Sequence, residues 1–209
     1  MNIALIVFFA IFTIVFLIRM PIGLGMLVAS IAYFMLSPLP GAGIDMAATK
    51  FLTEMSGSFI MIAVPLYIFM AEIMNSGKVT TIIFNFASAI VGKRRGAMAQ
   101  VNIVNSVIFS GMTGSAIADA SGPGNIEMKA MIQEGYPKPF TAAITAASAT
   151  EGPIIPPSIP MIIYAMISGT SVGALFMGGV VPGLILGLVM MVYTGIVSVR
   201  RKYPVGKSY

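Results

Sequence analysis

The chain has no cysteine, no histidine and no tryptophan in its 209 residues, and charged residues make up only 9% of it. Without cysteine there is no disulfide, no thiolate nucleophile and no zinc–thiolate or Fe–S site. Without histidine, imidazole acid–base chemistry and imidazole metal ligation are excluded. With no Trp, any aromatic belt at a membrane interface falls to Tyr and Phe. The shortage of charge decides the class. A soluble domain carries about 25% charged residues, whereas this chain is 57% hydrophobic with a mean hydropathy of +0.96. That balance excludes a soluble enzyme and a disordered chain, and it points to an all-α polytopic membrane protein in a lipid bilayer. The net charge of +5 does not indicate nucleic acid, because the Lys and Arg residues sit at the ends of apolar runs. Carboxylate, hydroxyl, amide and backbone remain for chemistry. That set suits alkali-cation binding and anion capture, and no cofactor is expected.

Residues 2–18 form an uncharged run closed by Arg19, and Pro21 opens a second run over 22–37. Both are short for spanning helices, which need about 17–25 residues. No basic n-region precedes the first run, which argues against a cleaved secretory signal. Pro38, Pro40, Gly41 and Gly43 predict a turn, followed by an interfacial segment to Ser56. A third span is expected from Gly57 to Asn75, with Pro65 inside it. Residues 78–92 are too short and too polar to span, and predict a helix lying in the interface.

The uncharged run from Gly96 to Ala118 is interrupted by Gly111, Gly114 and Ser115, and charge resumes at Asp119, Glu127 and Lys129. This pattern predicts a re-entrant helical hairpin that turns near Gly114-Ser115 and leaves by Glu134-Gly135-Tyr136. Non-helical backbone at membrane depth is tolerated only inside protein or beside a water-filled cavity. Residues 140–150 predict a short helix. Gly152-Pro153-Ile154-Ile155-Pro156-Pro157-Ser158 breaks it, because each proline removes a donor and clashes one turn back. The helix resumes over 159–169, so this is a discontinuous span. A last span over 173–199 is closed by Arg200-Arg201-Lys202. The organisation expected is therefore scaffold-type spans and an interfacial arm over 1–92, the hairpin over 93–138, the discontinuous span over 139–171, and the last span with a cytoplasmic tail over 172–209.

Threading five spans and one hairpin with Arg19 inside places 11 of the 12 Lys and Arg residues in the cytoplasm, leaving only Lys50 outside. That bias sets the N-terminus outside and the C-terminus inside. An odd number of spans means that a following copy of the unit would thread upside down, which is the inverted-repeat plan of many secondary transporters.

Two constellations carry the chemistry. Asn102, Asn105, Ser106 and Ser110 recur at helical spacing and lead to Gly111, Thr113, Gly114, Ser115 and Asp119. A helix break there presents unpaired carbonyls on one side and unpaired N–H groups on the other. Oxygens of this kind suit Na+, and a helix N-terminus suits a carboxylate. The Asn/Ser stripe equally fits plain helix–helix packing. The second constellation is Thr145, Ser148, Thr150, Glu151 and the break Gly152, Pro153, Pro156, Pro157 and Ser158, where Ser158 is placed to cap the second half-helix. Two facing broken helices point to a binding site. Asp119 and Glu151 are acids at membrane depth, which by default are functional; each needs a cation, an Arg or a proton to offset desolvation. Gly179, Gly183 and Gly187 recur every four residues and predict a close helix approach.

The ordered set Gly111-Met-Thr-Gly-Ser-Ala-Ile-Ala-Asp119, Met131-Ile-Gln-Glu-Gly-Tyr136, Ala146-Ala-Ser148 and Gly152-Pro-Ile-Ile-Pro-Pro-Ser-Ile-Pro-Met-Ile-Ile-Tyr164 resembles the large membrane subunit of tripartite ATP-independent periplasmic (TRAP) transporters. The resemblance runs over essentially the whole chain, which is about the N-terminal half of a typical member. It implies an elevator-type importer in the inner membrane of a bacterium or archaeon, one that uses Na+ as coupling ion to take up organic acids such as C4-dicarboxylates, keto-sugar acids or sialic acid. It also implies three partners: a periplasmic substrate-binding protein, a small four-helix membrane subunit, and the second half of the large subunit. By carry-over, Ser115 and Asp119 with the backbone near Gly114 form the hairpin tip, and Gly152–Ser158 is the matching unwound span. Together they would hold one Na+, with Ser115, Asp119 and Gly152 as its ligands, and one side of the substrate.

Two features depart from the family pattern. Glu151 stands where an apolar residue is expected, and the second inverted repeat is missing. A half-unit supplies half a site, so a fragment, a split-gene product or an inactive remnant is expected. The alternative function is an assembly or regulatory membrane subunit without transport of its own. An intramembrane enzyme is disfavoured, because the chain has neither His nor Cys and no paired-acid motif.

Overall fold

The structure, a computed structural model, describes residues 3–37, 43–57, 59–76 and 79–206. The turn expected at Pro38, Pro40 and Gly41, and the basic residues Lys78 and Lys207, lie outside them. Among the described residues there is no strand, only an isolated antiparallel bridge between Arg95 and Val205. The chain divides into two compact units, residues 1–59 and 60–209.

The first unit pairs α1 (Ile3–Leu17) with α2 (Ile22–Leu36), and α3 (Ile44–Gly57) packs on α2. Small residues make the close approach possible: Ala4 and Ala29 are buried, and a side chain at Gly25 would overlap Val15. Phe8 meets Tyr33 edge-on at 6.4 Å. The turn between the helices closes through Arg19 in the left-handed region (φ 60°), with the Met20 N–H donating to the Val15 carbonyl at 3.2 Å. This is the Schellman-type ending of a helix, here without the usual glycine.

The second unit contains residues 60–76 of α4 (Phe59–Ser76), then α5 (Val79–Val91), α6 (Ala97–Thr113), α7 (Ala116–Ser121), α8 (Pro123–Gln133), α9 (Lys138–Ala149), α10 (Ile159–Ser168) and α11 (Val172–Arg200). Its centre is α6, which touches α5, α7, α8, α9 and α11 and is buried along most of its length. That position explains how a helix with Gln100, Asn102, Asn105, Ser106 and Ser110 can sit inside: protein, not lipid, surrounds its polar groups. At one end Met98, Ala99 and Ile103 of α6 pack with Met131, Ile144, Tyr136 and Tyr203. α8 returns along α6, so residues 97–133 form a helical hairpin.

The returning limb is two helices, where a single segment was expected. Pro123 has no N–H to continue α7, so the chain kinks at Gly122 and α8 restarts with proline in its first turn. Among the described residues, α11 is long and apolar enough to cross a membrane; α1, α2, Ile62–Met74, α5 and α10 are shorter apolar helices.

Candidate ion and solute site

The site is built where two helices stop. α6 ends at Gly114, in the left-handed region with φ 61°, and its N–H donates to the Ser110 carbonyl at 3.3 Å. Ser115 then turns extended, and its Oγ caps α7 by accepting the Ala118 N–H at 3.4 Å. The second stop lies between α9 and α10. The Glu151 carbonyl accepts the N–H groups of Ile154 and Ile155 at 2.9 and 2.8 Å, folding the chain into a tight turn, and the Pro156–Pro157 peptide is cis. Ser158 closes the break from both directions: its Oγ donates to the Pro153 carbonyl at 2.6 Å and caps α10 by accepting the Met161 N–H at 3.3 Å.

The two stops touch. The Ile159 N–H donates to the Gly114 carbonyl at 3.3 Å. A methyl group at Gly114 would stand 2.5 Å from the Pro157 carbonyl oxygen. One at Gly152 would stand 2.9 Å from the Ser115 carbonyl carbon. Each glycine therefore lets the backbone of one break approach the backbone of the other. Asp119, one turn beyond Ser115, is 2% exposed. Its Oδ2 has no partner among the described residues. Glu151 is fully buried, and neither of its carboxyl oxygens has a partner among the described residues. Its Oε1 points at α11, 3.2 Å from where a Cβ on Gly187 would be.

Comparison with known proteins decides the family. Residues 9–208 match the Tripartite ATP-independent periplasmic transporter, DctM component. The chain belongs to the DctM family. It is 40% identical over 184 residues to the sialic acid TRAP transporter large permease protein SiaM of Vibrio cholerae, covering 88% of this chain and 42% of that protein. It is 41% identical over 191 residues to the sialic acid TRAP transporter permease protein SiaT of Haemophilus influenzae, covering 91% of this chain and 30% of that protein. With the C4-dicarboxylate TRAP transporter large permease protein DctM of Pseudomonas aeruginosa it shares 39% identity over 153 residues, 73% of this chain and 36% of that one. The chain thus spans less than half the length of these relatives, which are named as permeases and not as enzymes.

In this DctM-family chain the residues singled out from sequence fall into two groups. Gly114, Ser115, Gly152, Pro157 and Ser158 meet at the joint. Pro153 is tied to it through Ser158, and the Pro156 carbonyl faces Gly111. Ser148, Thr150 and Thr113 are engaged elsewhere. The Ser148 hydroxyl donates to Asn102 Oδ1 at 2.8 Å, and Asn102 Nδ2 donates to Thr145 Oγ1 at 2.8 Å, so this part of the Asn/Ser stripe clasps α6 to α9. Thr150 is exposed and its hydroxyl donates to the Ala147 carbonyl at 2.6 Å; that of Thr113 donates to the Phe109 carbonyl at 3.2 Å. Of the three expected Na+ ligands, Ser115 and Gly152 lie in contact and Asp119 follows on α7. No group of three acidic side chains fit to hold a metal occurs among the described residues. A cation held here would therefore rely on one carboxylate with hydroxyl and backbone oxygens.

Sequence reasoning passed over Glu127. It is 2% exposed on α8 and accepts a hydrogen bond from Asn105 Nδ2 at 2.7 Å. Its spacing of eight from Asp119, two turns along the same limb, was the available signal. The role of the glycine stripe on α11 was also missed: Gly179, Gly183 and Gly187 pack on Ile154, Ile155 and Glu151 in turn, so the stripe backs the break itself.

Proposed function

We propose that this chain supplies half of the translocation site of a Na+-coupled TRAP transporter, an importer of small organic anions delivered by a periplasmic binding protein. The seating of one helix break on the other, through the Ile159 N–H and the Gly114 carbonyl, supports this most directly. It places Ser115, with the buried Asp119 one turn beyond, beside the Gly152 backbone. Ser115, Asp119 and the Gly152 backbone hold the ion, and the joint between the two breaks forms one side of the substrate site. The second half of the large subunit supplies the opposing surface, and a small membrane subunit braces the whole. Residues 97–133 act as a re-entrant hairpin within a mobile elevator domain, with the N-terminus outside and the C-terminus in the cytoplasm. The names of the relatives favour sialic acid and C4-dicarboxylates as first substrates to try.

The test is uptake into proteoliposomes that hold this chain, a complementary second half and the small subunit, with the binding protein outside. Uptake of labelled sialic acid or succinate is expected to require an inward Na+ gradient and to fall to background in Asp119→Ala. Uptake indifferent to Na+, or no uptake with every partner supplied, would overturn the proposal. The second outcome would favour an assembly role.

A further inference from the structure

An open groove of about 580 Å³ runs along α11 between Leu188 and Val199 and has Arg94 and Arg95 in its lining. We propose that it binds one anionic phospholipid, with the headgroup phosphate on the two guanidinium groups and an acyl chain along Leu188, Val192 and Ile196.

Both ends of the groove are fixed in place. The loop that carries the arginines is bound to the C-terminal tail: the Gly96 N–H donates to the Pro204 carbonyl at 3.0 Å, the Gly206 N–H donates to the Arg94 carbonyl at 3.2 Å, and Arg95 bridges Val205. A side chain at Gly96 would overlap Ser198, so the loop rests directly on the last turns of α11. The far wall is tied by Gln100, whose amide donates to the Met191 carbonyl at 2.7 Å. Gly195 opens the floor, with space for a Cβ only 3.4 Å from that amide.

The chemistry is amphipathic. No carboxylate lines the groove, and guanidinium forks match phosphate oxygens in geometry. Leu188, Val192 and Val199 are each more than half exposed. The eleven-residue step from Leu188 to Val199 measures about 16 Å along a helix, close to one leaflet of a hydrocarbon core about 30 Å thick. A free phosphate would use the arginines and leave the apolar length bare; a phospholipid fills both. Basic pockets beside spanning helices favour anionic headgroups over zwitterionic ones. The proposal requires α11 to cross the bilayer but does not depend on transport.

The full-length chain, purified in mild detergent, is offered equal amounts of phosphatidylglycerol and phosphatidylcholine, and bound lipid is counted by native mass spectrometry. Phosphatidylglycerol is expected to be retained about tenfold over phosphatidylcholine. The preference is expected to vanish in Arg94→Gln/Arg95→Gln and to survive in the Lys/Lys variant. Gly195→Leu, which fills the groove and leaves both charges, is expected to lose the lipid as well. Equal retention of the two lipids by the unmodified chain overturns the proposal whether or not any variant folds. So does an unchanged preference in the Gln/Gln variant, or displacement of the lipid by excess glycerol phosphate, which would mark a free-anion site.

Discussion

The Gly114 carbonyl at the end of α6 accepts the N–H of Ile159 at the start of α10 at 3.3 Å, so two segments 45 residues apart share one joint. Both glycines of that joint are required, for different reasons. Gly114 has φ 61°, and a methyl there also meets the Pro157 carbonyl oxygen. Gly114→Ala therefore adds left-handed strain to a clash and is expected to destabilise by about 2–5 kcal/mol. Gly152 carries no left-handed φ, and Gly152→Ala adds only the clash with Ser115, about 1–3 kcal/mol. Because both disrupt the same contact, the double variant should cost less than the sum of the two. Thermal unfolding in detergent measures all three; strict additivity would mean that the two breaks do not act as a unit.

Glu151 presents a second test. Its carboxylate is buried without a partner and lies against Gly187. Replacing the carboxyl by an amide of nearly the same shape removes any cost of ionising a buried group, so Glu151→Gln is expected to leave the unfolding midpoint unchanged or raise it. Gly187→Ala puts a methyl 3.0 Å from a Val107 methyl and 3.2 Å from Oε1, and is expected to lower the midpoint. A clear drop in Glu151→Gln would mean that the acid has a bound counter-ion in the folded protein.

Both breaks were legible in the sequence because backbone chemistry is local: Gly111 and Gly114 weaken the end of α6, and three prolines within five residues at 153, 156 and 157 remove successive donors, whereas the single Pro65 and Pro182 are carried inside α4 and α11. The partners across the fold were not. Asn102 pairs with Thr145 and Ser148, residues 43 and 46 positions away, and nothing in its spacing distinguishes such a clasp from an ion site. Glu127 sits two residues from Lys129 and has the local pattern of a solvated helix face; only the return of α8 along α6 buries it. The Gly179, Gly183 and Gly187 stripe announced a close approach, but the surface it meets is a loop, whose position no helical periodicity encodes.

The hydrogen bond between Asn105 and Glu127 ties the two limbs of the hairpin together with both groups buried. Asn105→Ala leaves the Glu127 carboxyl without its donor, and a buried bond to a charged or potentially charged group contributes about 1.5–3 kcal/mol. Glu127→Ala removes the other partner. In the double variant neither group is stranded, so the cycle should return a coupling of about 1.5–3 kcal/mol. A coupling near zero would mean that the limbs are held by apolar packing alone.

Tyr136 provides a pH handle outside the spans. It stacks on Phe140 at 6.3 Å and meets Tyr203 at 5.3 Å, between α8 and α9. Burial, helped by the neighbouring Glu134 carboxylate, pushes its phenol from the ordinary value of 10.0 up to about 12. In the unfolded chain the proton leaves near pH 10, while in the folded chain it stays on to about 12. The contribution to stability is therefore complete below pH 10 and is lost as pH rises from 10 toward 12. The informative quantity is the difference from Tyr136→Phe. That variant keeps the ring and has no proton to lose. Its unfolding midpoint is expected to fall less steeply across this window than that of the unmodified chain; parallel curves would mean that Tyr136 ionises as freely when folded as when unfolded.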